Sequence, residues 1–150
     1  MPVRMCHEIE INCTAEKLFN YVTQPWYWHE WHPDSKGAGG GGRILSVGDT
    51  FDETIEVRPL APLPITLTRH PRYMVRESVP NSRWSAAGSF RDGWLSFRYE
   101  IEPTNAGVVF RRTLQFDVKG WMRLLVPLLT IKQQRKSRVA LAALKRLMEA

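Results

Sequence analysis

The chain has 150 residues, of which 43% are hydrophobic, and this length suits one compact domain with a sizeable core rather than two domains. Lysine and arginine number 21 against 15 acidic residues, so the formal net charge is +6. Such a charge permits contact with nucleic acid or an anionic membrane surface, but a solvated helix face accounts for much of it. We therefore expect a single domain over residues 1–150 and no nucleic-acid partner.

The cysteines and the apolar runs indicate the cellular setting. Cys6 and Cys13 are seven residues apart along a predicted extended segment, too far for a disulfide, so we expect free thiols in a reducing cytoplasm. Residues 1–10 lack the basic and apolar pattern of a secretory signal. The most apolar run, residues 124–131, is too short to span a bilayer, so we expect no stable membrane insertion. A monomer and a homodimer both stay open.

The first predicted elements are a strand and two short helices. Apolar and polar side chains alternate from residue 3 to residue 11, which is the period of a half-buried strand. Thr14 offers an N-cap hydroxyl to a helix over residues 15–22, and Pro25 opens a second short helix that ends at Pro33. The inward face of the strand comprises Val3, Met5, His7, Ile9 and Ile11.

A glycine-rich segment follows at residues 34–43, with glycine at positions 37, 39, 40, 41 and 42. This composition predicts a mobile loop rather than a packed element. A phosphate-binding loop needs a parallel strand before it and a helix after it, whereas residues 44–57 have strand character. The segment therefore predicts no nucleotide site.

Six strands and a long helix make up the rest of the chain. Turn signals separate the strands, and consecutive hairpins predict an antiparallel sheet. The helical pattern begins after Gly120 and is strongest over 135–150, and both a kink and a helix start near Pro127 are compatible with it. The basic face of this helix comprises Lys132, Arg135, Lys136, Arg138, Lys145 and Arg146. The predicted strands cover residues 50–57, 65–69, 73–79, 83–90, 94–101 and 108–118.

This order of elements resembles the helix-grip fold. Residues 9–11 and 14–19, where an apolar strand runs into a helix, resemble the opening of the START/Bet v 1-like superfamily. Residues 28–33 resemble its aromatic second helix, and residues 47–51 resemble the entry to its second strand. Residues 125–129 and 144–149 resemble the final helix of polyketide cyclase/dehydrase-like members. The resemblance spans nearly the whole chain.

The resemblance implies an α+β fold, in which a curved antiparallel sheet of six to seven strands wraps around a long C-terminal helix. Two short helices lie between strands 1 and 2. It also implies an apolar cavity between the sheet and the last helix, which members use for lipids, hormones, polyketides or other hydrophobic ligands. The sequence itself carries no signal for a nucleotide, flavin, haem or iron–sulfur cofactor, and we expect none.

Three polar side chains share strand faces with apolar neighbours. Strand parity points His7, Glu53 and Arg112 inward. Burying a charge is costly unless it is paired, so we expect direct contact between Glu53 and Arg112. In a functional interpretation, Arg112 holds a ligand carbonyl or carboxylate while Glu53 or His7 moves a proton. In a structural interpretation, the ion pair only orders the sheet and His7 is a hydrogen-bonded residue at the core edge.

Aromatic side chains offer large, rigid, apolar faces to a cyclic ligand. The predicted ligand-binding residues are Trp28, Trp31, Phe51, Trp84, Phe97, Tyr99, Phe110 and Leu114. A nearby polar cluster, formed by His29, Glu30, His32 and Asp34, has the spacing of a shared helix face. A zinc site needs about three protein ligands in fixed geometry, and nothing fixes a third here, so we predict no metal.

Three functions are compatible with these features. The first is binding of a hydrophobic small molecule, such as a lipid, a polyketide or an aromatic compound. The second is a cyclase or dehydratase-like enzyme that acts on such a ligand through His7, Glu53 and Arg112. The third is an adaptor that contacts a membrane surface or nucleic acid through the basic last helix. The first is favoured, although a fold alone cannot assign the chemistry.

Overall fold

The computed structural model describes residues 2–39 and 44–150. Strand β1, Val3–Ile11, runs into helix α1, Ala15–Val22. The N–H of Lys17 donates to the side chain of Thr14, so the predicted N-cap is confirmed. A 3₁₀ helix, Pro25–Glu30, follows with proline in its first turn. Both predicted short helices are therefore present.

Among the described residues, eight strands form one antiparallel sheet with the order β1-β8-β7-β6-β5-β3-β2. The remaining strand, β4, pairs with β3 beside this path. Seven of the eight strands were predicted: β4 lies within the predicted strand over residues 65–69, and β2 is the addition. The bounds of β2 to β8 are Ser35–Gly39, Thr50–Val57, Leu67–Arg69, Arg72–Val79, Arg83–Phe90, Gly93–Pro103 and Val108–Val118.

The prediction of a loop over residues 34–43 is wrong at its start. Ser35 to Gly39 pair with β3, and a bulge interrupts the register between Ser35 and Gly37. Gly37 has φ +140°, a conformation that favours glycine and accommodates the irregularity. Residues 40–43, the end of the predicted loop, lie outside the described residues. The strand character expected from residue 44 begins only at Thr50.

The chain ends on a second 3₁₀ helix, Gly120–Leu125, and helix α2, Val126–Glu149. Of the two alternatives at Pro127, a kink and a helix start, the structure has the helix start. Pro127 lies in the first turn, where its missing N–H costs no intrahelical bond. No helix within the described residues is both long and apolar enough to cross a membrane.

The core lies between the curled sheet and α2. Helix α2 buries one stripe, which comprises Leu129, Ser137, Ala140, Leu141, Leu144 and Met148. The burial pattern of β1 alternates as predicted, and Met5 and Ile11 are among its buried residues. Cys6 and Cys13 are free thiols, as expected. The predicted α+β helix-grip architecture is confirmed, and it places a cavity where the sheet faces the last helix.

Candidate functional site

A cavity of about 120 Å³ lies between the sheet and α2. Strands β3, β7 and β8 supply half of its lining residues, and the first 3₁₀ helix and α2 close it. Five of the eight predicted ligand-binding residues line it: Trp28, Trp31, Phe97, Tyr99 and Leu114. A volume of this size holds a molecule about as large as benzene, since an engineered cavity of about 150 Å³ binds that ligand.

The other three residues predicted to bind the ligand, Phe51, Trp84 and Phe110, do not line the cavity. Each is at most 2% exposed and belongs to the packed core. Phe110 packs against Tyr99, with ring centroids 5.3 Å apart. Phe51 and Trp84 belong to an aromatic cluster centred on Trp28, whose ring centroid lies 5.6 Å from that of Phe51 and 6.0 Å from that of Trp84. Because these rings pack edge to face, they fill interior space that a larger ligand would need.

Glu53 is a buried carboxyl that lines the cavity from β3. Its Oε1 accepts a hydrogen bond from the Tyr73 hydroxyl at 2.9 Å. Burial raises the pKa of Glu53 to about 7, although the Ser35 and Tyr73 hydroxyls and the Arg112 charge favour the ionised form. Both protonation states are therefore populated near neutral pH.

Arg112 is only 4% exposed, and its Nη1 donates to Ser137 Oγ of α2 at 3.2 Å. Its guanidinium carbon also lies 5.1 Å from the centre of the Phe97 ring. The expected direct contact with Glu53 is wrong, because no ion pair within 4.0 Å joins these two described residues. Arg112 instead donates to Ser137 and lies beside the Tyr99 hydroxyl, and Glu53 accepts from Tyr73.

Two buried N–H donors belong to side chains that line the cavity and have no hydrogen-bond partner among residues 2–39 and 44–150. One is Nε of Arg112 and the other is Nε1 of Trp31, a residue that is 3% exposed. An unpaired buried donor costs free energy that an acceptor atom recovers. The cavity thus combines an apolar wall with positive charge and free donors.

His7 does not line the cavity, although its inward parity is confirmed. Burial lowers its pKa, as do the charges of Arg138 and Arg112, although the neighbouring Gln134 side chain of α2 acts in the opposite direction. The predicted catalytic set therefore reduces, inside the cavity, to Glu53 and Arg112. Strand parity identified the face of His7 but not its position along that face.

His32 and Asp34 also line the cavity, although the sequence identified them only as part of a possible metal cluster. His32 Nδ1 accepts from the Asp34 N–H at 3.2 Å, which leaves the neutral ring with its proton on Nε2. Burial, with the charges of Arg112 and Lys136, holds the pKa of His32 well below its usual value. In residues 2–39 and 44–150, no three metal-binding side chains are grouped around one point.

Sequence reasoning missed much of the apolar wall. Strand parity was sufficient to find part of it, since Ile55 and Val57 share a strand face with Glu53, and Phe116 and Val118 share one with Arg112. The others depend on how β7 and α2 meet, which parity does not specify. The lining residues that were not proposed are Ser35, Ile55, Val57, Arg69, Phe90, Leu95, Phe116, Val118, Met122, Leu129 and Gln133.

The sequence as a whole matches one family model, described as polyketide cyclase / dehydrase and lipid transport, over residues 2–149. The chain belongs to this family. The match therefore includes every element that forms the cavity. None of the curated proteins compared with the sequence matches it.

Solved structures share the fold of this chain. The chain is similar to the Zhui aromatase/cyclase from Streptomyces sp. R1128, with a TM-score of 0.73, 13% identity, and coverage of 99% of this chain and 94% of that chain. It is also similar to a START superfamily protein from Mycobacterium smegmatis, with a TM-score of 0.68, 15% identity, and coverage of 99% and 97%. At such identities the likeness shows the fold alone.

Proposed function

We propose that this protein binds a small apolar molecule that carries an oxygen acceptor, in the cavity between the sheet and α2. The observation that carries this proposal is two N–H donors in an apolar cavity, on Trp31 and Arg112, that have no hydrogen-bond partner in the part of the chain that the structure describes. A ligand carbonyl or carboxylate oxygen recovers the hydrogen bonds that these donors lack. The apolar wall stabilises the rest of the ligand by removing it from water.

The size of the cavity restricts the ligand. About 120 Å³ accommodates one aromatic ring or a short branched chain. A longer lipid or a polycyclic compound fits only if part of it stays outside or the aromatic cluster rearranges. We therefore select probes with a single ring, and 4-phenylbutan-2-one combines that ring with a ketone oxygen.

The test compares two neighbouring substitutions on α2. Leu129 lines the cavity and is 7% exposed, whereas Leu128 is 41% exposed and does not line it. We expect Leu129→Phe to fill the space and to weaken binding of 4-phenylbutan-2-one at least tenfold in an NMR titration. Leu128→Phe is the matched control and should bind like the wild type. Equal binding by all three proteins would reject the cavity as the site.

The role of the free donors is tested by the ligand rather than by mutation. Butylbenzene has the same ring and chain as 4-phenylbutan-2-one but lacks its oxygen. Because a hydrogen bond to a charged group contributes about 1.5–3 kcal/mol, we expect the ketone to bind about tenfold or more tightly than butylbenzene. If the hydrocarbon binds as well as the ketone, the oxygen does not contact Arg112 or Trp31.

A second candidate function is acid–base catalysis on the bound ligand, and the pKa of Glu53, about 7, favours it. Ionised Glu53 would remove a proton from the carbon next to a ligand carbonyl, and Arg112 would stabilise the enolate oxygen. In deuterium oxide, bound 4-phenylbutan-2-one would then exchange its α-protons, with a rate that rises with pH through about 7. Glu53→Gln would abolish this exchange without abolishing binding. Equal exchange in both proteins would leave a binding function alone.

A further inference from the structure

An outer cleft of about 420 Å³ lies beside the cavity, and its charge is strongly positive. It is formed by β2, the segment that follows β3, and α2. Three of its cations, at positions 132, 135 and 136, are part of the basic face of α2 recognised in the sequence. The charged lining residues are Lys36, Arg58, Lys132, Arg135 and Lys136, against Asp34 and Glu56.

Most of these cations have no carboxylate partner within the described part of the chain. Lys136 pairs with Asp34, with Nζ 2.6 Å from Oδ1. Among the described residues, the other four cations of the cleft make no ion pair within 4.0 Å. Unpaired cations held on three different elements around one concave space attract a multiply charged anion, and phosphate is the group that lysine and arginine bind best in this way.

Asp34 forms the wall between the two spaces, since it lines both the cavity and the outer cleft. Its carboxylate is held by two α2 residues, Gln133 through Nε2 at 2.7 Å and Lys136 through Nζ at 2.6 Å. Gln133 lines the inner cavity and Lys136 lines the cleft. An anion that reaches Lys136 therefore competes with the residue that separates the two spaces.

We infer that the outer cleft is a phosphate subsite for the same ligand whose apolar end occupies the cavity, with Asp34 as the gate between the two parts. The ligand class is a phosphate ester with a short linker and an apolar end. This inference rests on the proposed function, because the apolar end must occupy the cavity.

Two probes separate the contributions of the two spaces. The first is 4-phenylbutan-1-ol, which offers only the apolar end, and the second is its phosphate monoester. We expect the phosphate ester to bind about tenfold more tightly than the alcohol at low salt, with NMR shift changes in both the cavity and the cleft. Raising the salt from 50 to 500 mM should weaken the ester and leave the alcohol unchanged.

Charge substitutions on α2 locate the subsite. Arg135→Glu should weaken the ester about tenfold without changing the affinity for the alcohol. Arg138→Glu is the matched control, because Arg138 is an exposed α2 residue that lines neither space and carries the same charge change. Asp34→Asn should act in the opposite direction and tighten the ester several-fold, since it removes the carboxylate that competes for Lys136.

The outcomes distinguish the two proposals. If the ester and the alcohol bind equally in the cavity, the phosphate subsite is rejected and the apolar site stands. If neither compound perturbs the cavity residues, the proposed function fails and the inference fails with it. If Arg135→Glu and Arg138→Glu weaken the ester equally, the effect is one of net charge and the cleft is not a subsite. Inorganic phosphate that binds as tightly as the ester also rejects a two-part ligand.

Discussion

Glu53 shows how burial and hydrogen bonding compete at a single carboxyl. Its environment includes a donating tyrosine at 2.9 Å and a buried arginine, both of which favour the ionised form. The pKa is nevertheless raised to about 7, because removal of the carboxylate from water outweighs these contacts. A direct pair with Arg112 would have lowered the pKa, so its absence is what keeps the carboxyl able to titrate near neutrality.

The raised pKa of Glu53 predicts a pH dependence of stability. The folded-state pKa of about 7 lies above the ordinary glutamate pKa of 4.5, so the folded protein binds the proton more tightly than the unfolded chain. This contribution is fully present below pH 4.5 and is lost as the pH rises through about 7. Urea unfolding of the wild type and of Glu53→Gln between pH 5 and 8 measures it, with an expected relative loss of about 3 kcal/mol in the wild type.

The comparison with Glu53→Gln isolates this one group. His32, whose pKa is lowered by burial, acts in the opposite direction, since its stabilising contribution is lost as the pH falls below 6.5. Because His32 is present in both proteins, its effect cancels in the difference. Parallel pH profiles for the two proteins would show that the carboxyl titrates normally.

Single residues also mark the limit of sequence reasoning. Alternation correctly turned His7, Glu53 and Arg112 inward, because a strand has a strict period of two. It did not predict that Glu53 would bond with Tyr73 or that Arg112 would bond with Ser137. It also did not predict that His7 would lie beside Gln134. The hydrogen-bonding partners lie on other elements, and the alternation along one strand does not predict them.

The elements themselves were predictable where side chains set the pattern. The long strands and both short helices were found from periodicity and capping residues. Strand β2 was missed because glycine has a low preference for strands, and Ser35–Gly39 contains two glycines among five residues. Backbone pairing with β3 holds this segment in a strand, although its composition disfavours a strand.

Helix α2 gives a prediction at the scale of one element. Leu144 is fully buried on the stripe that packs against the sheet, and Leu147, one turn away, is 41% exposed. We expect Leu144→Ala to lower the free energy of unfolding by about 2–5 kcal/mol, because it removes buried surface and leaves a cavity. Leu147→Ala should cost less than about 1 kcal/mol. Similar losses from the two substitutions in urea unfolding would mean that α2 does not pack through this stripe.

At the scale of the whole molecule, the sheet has two parts, one with β1, β8, β7, β6 and β5 and the other with β3 and β2, and the ladder that joins them is short. Strand β7 pairs along its full length with β8, from Gly93 opposite Val118 to Pro103 opposite Val108. Strands β3 and β5 are joined by only three residue pairs, from Thr50 to Asp52. The cavity lies across this division, since β3 supplies one wall and β7 and β8 supply the other.

This division predicts where the molecule opens and what a ligand does to it. Segments with short hydrogen-bonded ladders open at lower free energy, so amide hydrogen exchange should be slowest in β7 and β8 and at least tenfold faster in β2 and β3. A ligand in the cavity contacts both parts, and its binding should slow exchange most in β3. Mass spectrometry of the wild type and of Leu129→Phe, each with and without 4-phenylbutan-2-one, measures this effect. Slowing in the filled-cavity variant, or uniform slowing across the sheet, would mean that the ligand does not bridge the two parts.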